Sequence, residues 1–168
     1  MTNFESKQQA EAKHQAEAKQ QAEKLAEKQA IDTLAAYMDA FRKFEKPLAN
    51  ALRKRYPADQ IQEAEGKRCV VMVSGLKYYN LALYFQISQL SITQVQPFDH
   101  FHTFIQAPVG VIIEFFARML SGDPDCLGDM MTRENVQIRG PHTYHDLVVW
   151  EDIIRILSST ILRFKSIL

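Results

Sequence analysis

Five histidines, two cysteines and scattered serines are the residues of this chain best suited to covalent or metal chemistry. His100 and His102 stand two apart, so on a strand they share one face, and His142 and His145 stand just before Asp146 at the start of the last helix. If the two segments were neighbours, four imidazoles could meet at a metal. No Cys or Glu completes a metal-binding spacing, and the plainer reading is loop histidines, with His145 helping to start a helix. Ser74-Gly75 and Ser158-Ser159 lack the G-x-S-x-G context of a nucleophile elbow. No G-x-G-x-x-G, P-loop or H-E-x-x-H occurs. Cys69 and Cys126 sit among apolar residues and read as reduced and buried. These observations point away from an enzyme, and no catalytic residue, metal ligand or cofactor is assigned.

Charge likewise argues against a nucleic-acid partner, and none is expected. Twenty Lys+Arg balance twenty Asp+Glu, whereas a nucleic-acid-binding domain is usually basic. One basic concentration stands out, Arg42, Lys43, Lys46, Arg53, Lys54 and Arg55. It reads either as solvated helix surface or as a patch for transient contact with an anionic membrane. No stretch of about 18 apolar residues is present, and MTNFESKQQA lacks the pattern of a secretory signal. A cytoplasmic location is the economical expectation.

The elements that must position these residues differ along the chain. Residues 5–22 read ESKQQA, EAKHQA and EAKQQA, a six-residue repeat of strong helix formers with no large apolar side chain. A six-residue step advances about 240° around a helix, so it builds no apolar stripe. Residues 1–30 are expected as an extension, a solvated helix or a disordered tail, or alternatively an oligomerisation helix using Ala18, Ala22, Ala26 and Ala30. From residue 31 to 168 the chain reads as one domain.

Ile31, Leu34, Met38 and Phe41 fall at three- and four-residue steps, a packed helix face ending near Lys46 before Pro47. Pro47 can open a short helix that Pro57 stops. CVVMVS, NLALYFQ, QLSITQV and FHTFIQA then read as a meander of about four antiparallel strands. In the third, Leu90 and Ile92 face one side and Ser91 and Thr93 the other. VGVIIEFFARML is a helix after Pro108, with Glu114 and Arg118 placed to pair and Ser121-Gly122 as its stop. Asp123-Pro124 starts a short helix, VQIRG is a fifth strand, and Thr143 with Asp146 signals the start of a long last helix. The order predicts an α+β fold, a five-stranded, mostly antiparallel sheet with helices on one face.

The text FHTFIQAPVGVIIEFF, ARMLSGDPDCLGDMMTREN and VQIRG, with the long apolar helix after it, resembles the second half of the sterol carrier protein 2 (SCP2-like) family. Coverage extends to about residues 31–168, and element order carries much of it. The resemblance implies a tunnel between sheet and helices that holds a sterol, a fatty-acyl chain or an isoprenoid-type lipid, in a carrier without catalysis.

Independently, the helices at 108–120 and 144–165 carry more apolar faces than five strands can cover, and the surplus needs a cavity, an interface or a membrane. A cavity would draw on Phe104 of the fourth strand, and on Val111, Phe115, Phe116 and Met119 of the helix after it. Met130 and Met131 would join from the short helix, and Trp150, Ile154, Leu157 and Ile161 from the last. Glu114 or Arg118 would stand at the mouth. The competing reading is a scaffold module in which the same apolar helices form a homodimer or partner interface.

Overall fold

In a computed structural model, residues 2–55, 58–88 and 91–165 are described. Helix α1 runs from Thr2 to Arg42, followed by α2 (Glu45–Arg55) and α3 (Ala58–Ala64). Strands β1 (Arg68–Ser74), β2 (Leu81–Ser88), β3 (Ser91–Gln94) and β4 (Thr103–Pro108) come next. The chain closes with α4 (Val109–Ser121), α5 (Cys126–Met131), β5 (Gln137–Arg139) and α6 (Thr143–Lys165). The fold is α+β, with one five-stranded sheet.

α1 passes without a break through the texture change near residue 30. Its 41 residues span roughly 60 Å at 1.5 Å per residue. Residues 11–22 are exposed, whereas Leu34, Met38 and Phe41 are buried at the spacing the sequence predicts. The two halves meet the body differently. Glu27 accepts hydrogen bonds from the backbone N–H groups of Lys77 and Tyr78 (2.7 and 2.9 Å), and Glu23 accepts from the Lys77 ammonium and the Tyr78 hydroxyl (both 3.2 Å). Pro47 lies within the first turn of α2, where its missing N–H costs nothing. Pro57 and the Gln89-Leu90 link fall outside the described residues.

The strand order is β3-β2-β1-β4-β5. Three of the four pairings are antiparallel, but β1 and β4 are parallel, with Cys69 beside Thr103 and Val71 beside Ile105. The expected four-strand meander is therefore corrected: only β1 to β3 form one. After β3 the connection crosses the outer face of the sheet, because Phe98 packs edge-on to Tyr84 (5.2 Å) and lies under the Arg68 guanidinium (5.0 Å). His102 then donates its N–H to the Arg68 carbonyl (2.9 Å) and accepts the Arg68 N–H at Nδ1 (3.0 Å). These bonds deliver β4 to the far side of β1, running the same way.

Strand alternation sorts the side chains into two faces. Cys69, Val73, Leu83, Phe85, Ile87, Ile105 and Ala107 are buried on the inner face, against α1, α4 and α6. Met72, Tyr84 and Phe104 stand on the outer face, where Phe104 meets Phe101 (ring centroids 5.8 Å).

Two helix starts also differ from the sequence reading. α5 begins at Cys126, after Asp123 has accepted a bond from the Asp125 N–H (3.0 Å), so Asp123 closes a turn instead of capping the helix. Asp146 does not reach back to its own helix start; it pairs with Lys67. The stop at Gly122 is as expected: φ is +97°, and Gly122 and Asp123 donate to the carbonyls of Met119 and Arg118.

Candidate functional site

Between the inner face of the sheet and the helices lies a cavity of about 60 Å³. Phe41 of α1 contributes to it, with Cys69 and Val71 of β1, Phe85 of β2, Ile92 of β3 and Ile105 of β4. Ile112, Phe115, Phe116 and Met119 come from α4, Leu127 and Met130 from α5, and Trp150 and Ile154 from α6. The wall is thus assembled from both ends of the chain. Phe116 is its hub, with Phe115, Phe85 and Phe41 at ring-centroid distances of 5.1, 6.4 and 6.5 Å.

Of the residues singled out from sequence, Phe115, Phe116, Met119, Met130, Trp150 and Ile154 meet at this wall. Val111, Leu157 and Ile161 are buried in the surrounding core, and Met131 is half-buried against it. Phe104 stands on the opposite face of the sheet, and its neighbour Ile105 points inward instead. Phe41, Cys69, Val71, Phe85, Ile92, Ile105, Ile112 and Leu127 were not singled out. Alternation along each strand and the three-four spacing ending at Phe41 were the signals that could have found them.

Polar chemistry gathers next to one part of the wall. Lys67, two residues before Cys69, forms an ion pair with Asp146, whose side chain is almost fully buried. Trp150 stands one turn further along α6. Among the described residues, Trp150 Nε1, Asp146 Oδ2 and Thr103 Oγ1 are buried without a hydrogen-bond partner.

The remaining candidates are occupied elsewhere. Glu114 does not pair with Arg118. Arg133 binds Glu114, while Arg118 binds Asp123 (2.6 Å) and Asp129 (2.5 Å), so the charges stitch α4 to α5 and its flanking turns. His145 Nε2 lies 2.9 Å from Glu63. Among the described residues, no group of three or more His, Cys, Asp or Glu could hold a metal. Burial pushes the Cys69 thiol up to about 12 and the Cys126 thiol to about 11, with Asp123 adding to the second. Both therefore stay protonated and unreactive at neutral pH.

Fold and site together define an α+β domain enclosing an apolar cavity between its sheet and its helices. No protein-family model matches the chain, and no curated protein matches it. Among solved structures, the chain is similar to a UbiJ-SCP2 ubiquinone synthesis protein, at 15% identity and a TM-score of 0.47, over 70% of this chain and 95% of that one. It is also similar to a conserved hypothetical protein from Thermus thermophilus, described as a candidate sterol carrier protein. There the identity is 15% and the TM-score 0.46, over 76% of this chain and 85% of that one. Among the described residues, no helix is long and apolar enough to cross a membrane.

Proposed function

We propose that this chain binds a lipid-like apolar ligand in the cavity between sheet and helices and acts as a carrier without catalysis. The observation that carries the reading is the wall itself: apolar side chains from eight elements converge on one cavity between the sheet and the helices. A void forfeits dispersion contacts on every lining atom, so a well-packed scaffold would have closed it. The ligand class agrees with what the sequence resemblance implies.

At about 60 Å³ the cavity is smaller than the roughly 150 Å³ that accepts benzene in an engineered core. A longer chain must widen it. Met119 and Met130 are movable walls, since thioether side chains repack at little cost.

The burial pattern favours a cavity over an interface. α4 and α6 look over-endowed with apolar faces if only strands cover them, yet α1 packs along α4 and α2 along α6. Of the large apolar residues of these two helices, Val148 and Leu162 are the exposed ones among the described residues. For exchange with a bilayer, Lys46 and Arg53 are exposed two turns apart on α2, and Lys43 and Lys54 are exposed beside them. Such a cluster gains about 1 kcal/mol per charge near an anionic surface.

Trp150 is the single tryptophan, so its fluorescence reports occupancy directly. Titration with a fatty acid brominated in mid-chain should quench it saturably, at one ligand per chain. Absence of saturable quenching by brominated acyl chains and sterols alike would refute the proposal.

A further inference from the structure

We infer that α5 is the lid of the cavity, latched by ion pairs around its rim, and that ligand enters and leaves by its displacement; this rests on the apolar-ligand reading above. The wall has one weakly built member. Its strands are joined by sheet hydrogen bonds, and α4 and α6 pack on each other and on further elements. α5 is six residues long, too short to persist as a helix on its own. It also carries Gly128, a residue unfavourable in helix interiors. It belongs to no sheet, and its main contacts are with α4 and α6. Its inner side is apolar: Leu127 and Met130 line the cavity, and Cys126 is buried. Lifting α5 therefore removes two wall residues and opens the cavity without breaking a strand pairing.

Around that apolar underside runs an ionic rim. Arg118 of α4 binds Asp123 ahead of α5 and Asp129 within it. Glu114 of α4 holds Arg133 just after α5, and Arg155 of α6 reaches Asp125 (3.4 Å). The short helix is thus pinned at its start, middle and end, and to both neighbours. Every side chain in these four pairs is at least 27% exposed, so each pair is weak and open to salt. Weak pairs suit a latch: together they hold a short helix closed, and local opening releases it at small cost. α1 is the rival gate, because Phe41 lines the cavity and Lys77 binds Glu23. However, Leu34, Met38 and Phe41 root α1 in the core, whereas α5 has no such stripe.

The test follows quenching of Trp150 by 1-bromooctane, a neutral probe, in stopped flow on the full chain. The latch is the same whether the cavity is empty or filled, so loosening it should accelerate entry and release together and leave the affinity unchanged. Arg118→Gln frees two carboxylates at once and should speed both rates about fivefold, the effect of losing exposed ion pairs. Raising salt from about 10 mM to about 1 M shortens the screening length about tenfold; it should accelerate the natural protein and act less on Arg118→Gln. Lys77→Gln, which loosens α1, should leave the rates alone. Hydrogen exchange gives a second readout: Arg118→Gln should speed exchange in Cys126–Met131 and leave residues 34–41 protected. Unchanged rates in Arg118→Gln, or equal acceleration by Lys77→Gln, would overturn the lid and leave the apolar site standing. Faster release with lost affinity would make Arg118 a support of the cavity's shape and overturn it too. Absence of saturable quenching in the natural protein would instead refute the apolar-ligand reading, and the lid with it.

Discussion

Filling the cavity is expected to stabilise the protein and abolish its binding at once. Cys69 is the natural place, since its thiol is buried on the inner face of β1 and forms part of the wall. Cys69→Leu projects two further carbon atoms inward. Cavities cost about 24 cal/mol per Å³, so a void of about 60 Å³ leaves the empty protein ~1.4 kcal/mol short of a filled core. The variant can recover up to that amount. For a chain of this length, 1 kcal/mol moves the midpoint by about 2–4 °C, which gives a rise of ~3–6 °C in Tm. Calorimetric melting and the Trp150 quenching titration are read side by side. The expected pair of results is a higher Tm and an affinity for brominated acyl chains reduced at least tenfold. A variant that is stabilised yet binds as well as the natural protein would place the ligand elsewhere. One destabilised by more than about 1 kcal/mol would show that the space beside Cys69 is not open to a side chain.

Three further outcomes follow from individual contacts. Asp146→Ala strands the Lys67 ammonium, whose side chain is only 13% exposed, and should cost about 3–5 kcal/mol by urea unfolding; a loss below 1 kcal/mol would mean that Lys67 escapes to solvent. Gly140→Ala would drive a Cβ into the His102 carbonyl oxygen, a backbone collision, and should cost about 2–3 kcal/mol in the same assay. Hydrogen bonds from Lys77 and Tyr78 hold the Glu23 carboxyl below its ordinary range. A lowered carboxylate stabilises the folded state above the usual value of about 4.3 and loses that contribution as pH falls through its folded value. The anchorage of α1 on the Lys77-Tyr78 turn should therefore loosen on acidification, visible as chemical-shift changes at Tyr78, and Glu23→Gln should remove that acid response.

The parts of the protein that depend on neighbours in the chain were legible in the sequence. Apolar spacing marked the buried stripe Leu34, Met38, Phe41, short apolar, β-branched text marked β1, and two-residue alternation marked β3. Pro108 and Gly122 bracketed α4 because one fixes its own φ and the other tolerates a positive one. Alternation, however, is the same in parallel and antiparallel strands, so it could not reveal that β4 runs beside β1 in the same direction. That depends on where Phe98 docks, on Tyr84 and Arg68. Alternation likewise separates Phe104 from Ile105 without saying which is inside; the larger ring, the better guess from hydrophobicity, lies outside.

Asp146 looked like a helix start because Thr143 stands three residues before it, and only the return of α6 past the entry to β1 brings it to Lys67, 79 residues earlier. An apolar surplus on α4 and α6 was visible from composition alone. How it is shared between packing against α1 and α2 and lining a void is decided by tertiary structure, because burial depends on which faces meet, and sequence spacing gives only the faces.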